Sequence, residues 1–382
     1  MKKSLLIVVD ERKMGGVSIL LEDMINLGVF SDYDTDILVL HNNGSRLNNV
    51  KANVIYGTKF FNTIDLTIKE VLKTRKMNLI FSKVRLVFEM KTGLIKKRIV
   101  RERKKILNKR YDIEIAFKDG FTAIFTAFGD SLKKIHWLHY EYGKCNPNIK
   151  YNKLFNELLP KFDKIIAVSE GVKKAFCDFY KITDVEVIPN IVNVQKIKEL
   201  SKQKGLIKYE DGKLNTVLVG RIHPVKGYDR FLKVVKRLYD DGFKEKIVIN
   251  VIGDGPDLEN VKSLNNDLNL DIHFWGKMDN PYKEIKNMDL LIFPSLYEAF
   301  GLVALEALIL RVPVFATKTA ATEKIISNNI NGLVVENSEE GIYNGMKELL
   351  MNFDKIKEFK NNLKDYSYDI DEEIKKIKNI LN

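Results

Sequence analysis

The chain has 382 residues, of which 45% are hydrophobic, and a formal net charge of +12. This length and composition exclude both a single simple core and a wholly disordered chain, and no apolar run reaches the roughly 18 residues of a membrane span. The two cysteines, Cys145 and Cys177, lie in no metal-binding or paired spacing, so we expect reduced thiols in a reducing compartment.

Apolar runs of strand length alternate with longer helical patterns along the whole chain. The runs are rich in Val, Ile and Leu, which is typical of strands buried on both faces. The predicted strands are Ser4–Val9, Thr35–Leu40, Ile113–Ala116, Lys134–Leu138, Lys164–Val168, Glu186–Ile188, Thr216–Val219, Ile247–Ile252, Ile272–Trp275, Leu290–Phe293, Val314–Ala316 and Gly332–Val334. This alternation predicts an α/β fold with two doubly wound parallel sheets.

The boundary between the two predicted domains falls near residues 191–212. There Pro189 and Asn190 precede a polar, lysine-rich stretch. We therefore assign residues 1–195 to an N-terminal domain and residues 196–366 to a C-terminal domain. Ligands of such folds bind outside the carboxyl ends of the strands, so the motifs at those ends are the candidate functional sites.

One segment, residues 58–110, carries the whole positive excess. It holds seventeen Lys and Arg against four Asp and Glu, and apolar residues recur along it. A basic, amphipathic stretch of this kind favours an anionic membrane surface. The alternative is a set of helices packed on a core with a solvated lysine face. No aromatic platform or DNA-binding motif supports nucleic acid as a partner.

The first motif is Gly15-Gly16, which follows the first strand and precedes the helical run Val17–Leu27. Paired glycines let a backbone approach a phosphate or sugar, and a helix start offers free N–H groups. The alternative interpretation is an ordinary turn.

The second motif runs from Gly220 to Gly227, between a predicted strand and a predicted helix at residues 228–241. Arg221 and Lys226 are expected at the carboxyl edge of the sheet. Two cations there can grip a diphosphate, the arginine as a fork and the lysine as a point charge. The alternative is two solvated surface cations.

The third motif, from Glu298 to Glu306, flanks a helix start with two acids. Eight helical residues rise about 12 Å, which suits a ligand with hydroxyls at both ends and phosphates between them. Glu298 can hold hydroxyls of a sugar, Glu306 can hold a ribose, and the N–H groups near Leu302 and Val303 face the phosphates. The alternative is a helix start with acids favoured by the dipole.

A fourth motif, Gly253-Asp254-Gly255-Pro256, follows a predicted strand. It lacks the third glycine of the dinucleotide fingerprint, so a dehydrogenase is not favoured.

Together these motifs resemble the family 4 glycosyltransferases, which have the GT-B fold of two Rossmann-like domains facing a cleft. The matching pieces, in family order, are Gly15-Gly16, the His139 region, Val168–Val172, Pro189-Asn190, Gly220–Gly227, Gly253–Pro256, Trp275-Gly276 and Glu298–Glu306. They span nearly the whole chain, and the region around Ile113–Ala116 and His139 looks like bacterial capsule and cell-surface polysaccharide members.

The resemblance implies roles for individual residues. Arg221 and Lys226 would bind the donor diphosphate, and Glu298 and Glu306 the donor sugar and ribose. His139 would contact the donor sugar and the reaction centre, although a satisfied core histidine is the alternative. The donor site would also include Gly15, Gly16, Gly276, Met278, Gly301, Leu302 and Val303. The last helix, residues 367–382, would pack back on the acceptor-binding N-terminal domain.

Two positions depart from the family pattern. Arg311 stands where the family often has glycine, and Thr319-Ala320-Ala321-Thr322 stands where paired glycines often precede the acid at Glu323. We expect these changes to affect the choice of donor sugar more than the reaction type.

The resemblance implies a retaining transfer from a nucleotide-diphosphate sugar, with UDP the commonest family nucleotide, to a lipid-linked saccharide or glycan. We expect no metal or other cofactor, because Arg221, Lys226 and the helix start can stabilise the leaving diphosphate. The expected location is the cytoplasmic face of the cell membrane, in capsule or lipopolysaccharide synthesis. Two alternatives stay open: a sugar-nucleotide epimerase of similar fold, and a non-catalytic sugar-nucleotide-binding subunit.

Overall fold

A computed structural model describes residues 2–10, 16–41, 50–64, 66, 68–140, 142 and 152–382. The chain divides into two compact units. The first comprises residues 1–192 and 370–382, and the second comprises residues 193–369. The boundary predicted from the sequence lies between residues 195 and 196.

The first unit is built on a seven-stranded parallel sheet with the strand order β3-β2-β1-β4-β5-β6-β7. Its strands are β1 (Ser4–Val9), β2 (Asp34–Val39), β3 (Asn53–Tyr56), β4 (Ile113–Ala116), β5 (Lys133–Leu138), β6 (Lys164–Ala167) and β7 (Glu186–Val187). The sequence prediction lacks β3, because this short edge strand is partly exposed and its apolar run is only three residues long.

Seven helices connect these strands: α1 (Gly16–Asn26), α2 (Ile68–Lys73), α3 (Met77–Thr92), α4 (Ile95–Ile106), α5 (Phe121–Ala127), α6 (Asn152–Leu158) and α7 (Glu170–Tyr180). Local sequence sets their ends. At α7, for example, the Ser169 side chain caps the helix by accepting from the Val172 N–H at 3.3 Å.

The second unit is built on a six-stranded parallel sheet with the order β10-β9-β8-β11-β12-β13. Its strands are β8 (Leu214–Val219), β9 (Ile247–Ile252), β10 (Ile272–Gly276), β11 (Leu290–Phe293), β12 (Val314–Thr317) and β13 (Gly332–Val335). Its helices are α8 (Val194–Leu200), α9 (Tyr228–Asp240), α10 (Leu258–Asp267), α11 (Tyr282–Ile285), α12 (Leu302–Ile309), α13 (Thr322–Ile325), α14 (Glu339–Met351) and α15 (Phe353–Asn362). The prediction of two parallel-sheet α/β domains is confirmed.

Each sheet is the centre of its unit's core. Residues Leu5–Val9 of β1 are fully buried, as are Phe231, Val234 and Leu238 on the inner face of α9. Strands covered by helices on both faces bury every side chain, which explains why they form continuous apolar runs in the sequence.

Among the described residues, no helix is both long enough and apolar enough to cross a bilayer.

The last helix, α16 (Asp371–Leu381), belongs to the first unit although the second unit precedes it. It buries Ile377, Ile380 and Leu381. The Tyr33 hydroxyl donates to Asn382 Oδ1 at 3.0 Å, and Lys378 Nζ lies 2.9 Å from Asp32 Oδ2. The packing of the first unit therefore depends on residues from both ends of the chain.

Replacing Ile377 and Ile380 together by alanine is expected to destabilise the first unit by about 4 kcal/mol or more, because each change leaves a cavity. Hydrogen exchange read by mass spectrometry should show lost protection in β1 and α1, while β8 and α9 keep theirs. Lys375→Ala, on the exposed face of α16, should change stability by no more than about 0.5 kcal/mol. Equal loss of protection in both units would contradict the assignment of α16.

Candidate functional site

In the second unit the candidate site lies at the carboxyl ends of β8 and β11. These neighbouring strands flank the point where the strand order reverses, which is where doubly wound sheets bind ligands. β8 leads into Gly220 and Arg221, and β11 leads into the loop that carries Glu298. The Arg221 side chain is exposed.

Lys226 and Glu298, which the sequence analysis assigned to diphosphate and sugar, form an ion pair through Nζ and Oε2. Their side chains remain 26% and 15% exposed, so a ligand can reach both. Lys226 Nζ also lies 5.2 Å from the centroid of the Phe293 ring. The structure thus brings these two predicted site residues into direct contact.

The sequence analysis missed Arg230, which fixes the loop behind this pair. Arg230 lies in the first turn of α9 and is 7% exposed. Its Nε and Nη2 donate to the Pro294 carbonyl at 3.1 and 2.7 Å, and Nη2 donates to Thr317 Oγ1 at 3.3 Å. Burial lowers the pKa of the Arg230 guanidinium. No local pattern reveals this role, because an arginine in an amphipathic helix usually faces solvent.

Gly227 permits that close contact. Its φ of +67° favours glycine, and a Cβ there would lie 2.2 Å from the Pro294 carbonyl oxygen.

The Gly253–Pro256 loop is packed in the same way. A Cβ at Gly253 would lie 1.9 Å from the Gly220 carbonyl oxygen, and one at Gly255 would lie 2.0 Å from that of Ile222. The two glycines of that motif therefore serve backbone packing.

Helix α12 starts beside the ion pair. Gly301 precedes it with a φ of +87° and has no side chain to cap it, so the N–H groups of Leu302 and Val303 have no cap acceptor from that residue. Glu306 lies one turn further along and accepts from the Tyr282 hydroxyl at 3.1 Å. Tyr282 is a second residue that sequence analysis missed, since it reaches Glu306 from another helix.

Gly276 and Met278 lie apart from these residues. Gly276 is the last residue of β10 and Met278 follows that strand, and β9 separates this edge strand from β8. The Gly276 carbonyl accepts from the Gly253 N–H at 2.8 Å, and the neighbouring Trp275 donates to Asn250 Oδ1 at 2.9 Å with its ring 39% exposed. Met278 is partly buried.

In the first unit, Gly15 lies outside the described residues, and Gly16 is the exposed first residue of α1. His139 directly follows β5 and is 8% exposed. Its backbone N–H donates to Asp119 Oδ2 at 2.9 Å. Its Nε2 is buried without a hydrogen-bond partner among the residues that the structure describes.

Burial and a nearby positive charge keep the His139 side chain neutral. Burial, helped by the charge of Lys118, lowers the pKa of His139 to about 3. Burial also raises the pKa of Asp119 to about 6, although Asp119 accepts hydrogen bonds from His139 and from the Tyr142 hydroxyl at 2.8 Å. Asp119 follows β4, and sequence analysis missed it.

The two departures from the family pattern have local explanations. Arg311 lies two residues beyond the end of α12 and has a φ of +64°, the left-handed conformation for which glycine is favoured. Thr319 and Thr322 exchange hydrogen bonds at the start of α13: each backbone N–H donates to the other's hydroxyl, at 2.8 and 3.1 Å. Two threonines therefore order the turn that paired glycines would leave uncapped.

Much of the chain is similar in sequence to known glycosyltransferases. Residues 198–367 match the family described as Glycosyl transferases group 1. An uncharacterized glycosyltransferase of Methanocaldococcus jannaschii, MJ1069, is 28% identical over 61% of this chain and 64% of its own length. The match to a Campylobacter jejuni N-acetylgalactosamine-N,N'-diacetylbacillosaminyl-diphospho-undecaprenol 4-alpha-N-acetylgalactosaminyltransferase is 26% over 58% of this chain and 60% of that protein. The chain thus spans less than two-thirds of these curated relatives.

The fold is shared over the whole length. The crystal structure of Anabaena Alr3699/HepE in complex with UDP and glucose superposes with a TM-score of 0.73 at 16% identity, covering 99% of both chains. The roles of the individual site residues stay predictions.

Arg230→Met is expected to destabilise the second unit by about 2–4 kcal/mol, because the buried Pro294 carbonyl would lose its donor. Urea unfolding measures the change. Arg237→Met is the control: it removes an exposed arginine of the same helix, which pairs with Glu340 at 2.9 Å, and should cost less than about 1 kcal/mol. Equal effects of the two variants would contradict the role assigned to Arg230.

His136 gives a pH prediction. It is fully buried beside Phe155, Phe162 and Phe176, and burial lowers its pKa from 6.5 to about 3. As pH falls from 6.5 towards 3, the unfolded chain gains a proton that the folded chain cannot take, so stability falls by about 1.4 kcal/mol per pH unit for this group.

His136→Phe should therefore flatten the dependence of unfolding free energy on pH across that window. Phe155→Leu, which only loosens packing, should lower stability by the same amount at every pH. An unchanged slope in His136→Phe would show that the histidine is protonated in the folded state.

Proposed function

We propose that this chain, whose residues 198–367 belong to the group 1 glycosyl transferases, is a glycosyltransferase that moves a sugar from a nucleotide-diphosphate donor to a saccharide acceptor. The observation that carries the proposal is the ion pair of Lys226 and Glu298 beside the start of α12. A cation, a carboxylate and the N–H groups of a helix start without a side-chain cap, at one sheet edge, match the phosphates and hydroxyls of such a donor. We assign the donor to the second unit and the acceptor to the first.

The donor diphosphate would lie between Arg221, Lys226 and the first turn of α12. Arg221 is exposed and offers a fork of donors to phosphate oxygens. The N–H groups of Leu302 and Val303, after Gly301, add the positive end of the helix dipole. Binding the diphosphate would draw Lys226 from Glu298, which frees the carboxylate for a sugar hydroxyl.

The two acids would mark the ends of the donor. Glu298 would accept hydrogen bonds from the sugar, and Glu306, held by the Tyr282 hydroxyl, from the ribose. The loop at Gly276 and Met278 would lie along the base. The Tyr282 hydroxyl orients the Glu306 carboxylate before the donor arrives, and this lowers the entropy lost on binding.

The reaction breaks the bond between the anomeric carbon and the diphosphate, which leaves as a nucleoside diphosphate. Negative charge develops on the leaving diphosphate. Arg221, Lys226 and the start of α12 would stabilise that charge, so no metal is required. In the proposed retaining course the acceptor hydroxyl attacks from the face that the diphosphate leaves, and a departing phosphate oxygen takes its proton. Neutral His139 would hydrogen-bond the donor sugar; with a pKa of about 3 it is not a cationic acid at neutral pH.

We further propose UDP as the donor nucleotide and a lipid-linked saccharide or glycan as the acceptor, in capsule or lipopolysaccharide synthesis at the cytoplasmic face of the membrane. The Anabaena complex with UDP and glucose supports the first proposal. The undecaprenol-linked substrate named for the Campylobacter relative supports the second. The basic segment 58–110 supports contact with an anionic membrane surface.

Lys226→Ala and Glu298→Ala are each expected to lower transfer of radiolabelled sugar by about 100-fold or more, since each removes a group that acts on the donor. The donor is first identified by thermal shift with a panel of nucleotide sugars, because binding raises the apparent stability. Lys236→Ala, which breaks an exposed ion pair with Asp240 on α9, is the matched control and should keep full activity. Normal turnover in either site variant would overturn the site assignment.

Product analysis separates the alternatives. Transfer from no donor in the panel would reject the glycosyltransferase. Interconverted free nucleotide sugar without an acceptor would identify an epimerase, and donor binding without any product would identify a non-catalytic subunit.

A further inference from the structure

Helix α3 exposes its apolar face. Met77, Phe81, Val84 and Phe88 are 62%, 68%, 63% and 58% exposed. Their spacing of four, three and four residues places them on one side of the helix, as a continuous stripe. On α2, Ile68 and Leu72 are also exposed, at 59% and 55%.

The opposite face of α3 buries Leu86, which is 5% exposed, together with two charged groups. Lys83 is 8% exposed and donates to the Ile64 carbonyl at 2.8 Å, and Glu89 is 7% exposed and lies 2.8 Å from Arg85 Nε. The usual amphipathic helix of a water-soluble surface buries its apolar stripe and solvates its charges. Helix α3 therefore leaves four large apolar side chains exposed while it buries two charged ones, and an exposed apolar patch of this kind indicates an apolar partner for the outer face.

The charges around the stripe identify that partner. Glu89 and Glu102 are withdrawn from the surface, since both are buried and Glu102 pairs with Arg98 and Lys105 at 3.1 and 2.9 Å. The exposed charged side chains of the α2–α4 region include these cations: Lys73, Arg75, Lys76, Arg85, Lys91, Lys97, Arg101, Lys104 and Lys105. An apolar stripe with cations beside it complements an anionic bilayer, whereas a second copy of the same positive surface would be repelled.

The surface of α4 offers a place for a lipid phosphate. A shallow, open surface depression of about 370 Å³ is lined by Lys96, Lys97, Val100, Arg101 and Phe128. Lys97 and Arg101 can bind a phosphate there, whereas Lys96 already pairs with Glu157 at 2.8 Å. The apolar side chains can contact the carbon chain next to the phosphate.

We propose that α3 lies in the plane of an anionic bilayer, with Met77, Phe81, Val84 and Phe88 inserted between acyl chains and the cations of α3 and α4 on lipid phosphates. This inference deepens the membrane location proposed above and rests on it. It assigns the apolar contact to one helix face and the electrostatic contact to the cations beside it.

The test is flotation of the full chain with phosphatidylcholine vesicles that contain about one-third phosphatidylglycerol, against pure phosphatidylcholine. We expect binding to the anionic vesicles only. Phe81→Ser with Phe88→Ser should weaken it about tenfold or more, because two inserted rings are lost. Lys97→Gln with Arg101→Gln should also weaken it, and added salt should reduce that difference.

Leu132→Ser with Met351→Ser is the matched control, since these side chains are 70% exposed elsewhere on the chain. This control should bind like the unaltered protein. Unchanged binding of the Phe81/Phe88 variant, or equal binding to neutral vesicles, would overturn the proposal. So would a dimer in sedimentation that the Phe81/Phe88 variant loses, because the stripe would then cover a second copy.

A second measurement does not depend on loss of binding. Phe81→Trp should shift its fluorescence to the blue on anionic vesicles and be quenched by brominated acyl chains, while the same probe at Leu132 stays unshifted. Sugar transfer to a water-soluble acceptor is measured in parallel. Transfer without vesicle binding rejects only the membrane proposal, and vesicle binding without transfer rejects only the proposed activity.

Discussion

The second unit depends on one close approach between two backbone segments, at Gly227 and Pro294. No side chain fits between them, and the buried guanidinium of Arg230 donates twice to the same carbonyl. Lys226 immediately precedes Gly227, and Glu298 lies four residues beyond Pro294. The distance between the two charged groups therefore depends on the packing of Gly227 against Pro294 as well as on the attraction between the charges. A ligand that separates the two charges leaves that supporting contact in place.

The strands and the principal site motifs could be predicted from the sequence because both follow short-range rules. A strand covered on both faces is a continuous apolar run, and Lys226 and Glu298 follow strands that such rules place side by side. Strand β3 could not be predicted in this way, since Asn53–Tyr56 is a partly exposed sheet edge. Arg230, Tyr282 and Asp119 were missed for a different reason. Their partners are a carbonyl, a distant carboxylate and a backbone N–H, and such contacts leave no periodic signal.

In the basic segment, residues 58–110, the sequence period predicts a helix but not its orientation. The spacing of Phe81, Val84 and Phe88 predicts a helix with one apolar face, but it does not say which face is turned inward. That choice depends on the Ile64 carbonyl, which accepts from Lys83, and on the arginines around Glu89. The two units also differ in how they treat charge. Among the predicted site residues and their neighbours, the first unit has the buried neutral His139 beside Asp119, whose pKa is raised, whereas the second has an ion pair partly open to solvent.

The position of α16 bears on how the chain acquires its structure on the ribosome. Residues 193–369 form a contiguous unit, so that unit can complete its core as soon as it has emerged. The first unit emerges earlier but lacks Ile377, Ile380 and Leu381 until α16 has been synthesised. While the second unit is being synthesised, the apolar surface of the first unit that α16 later covers stays exposed. The half of the molecule that begins folding first is thus the half that finishes last.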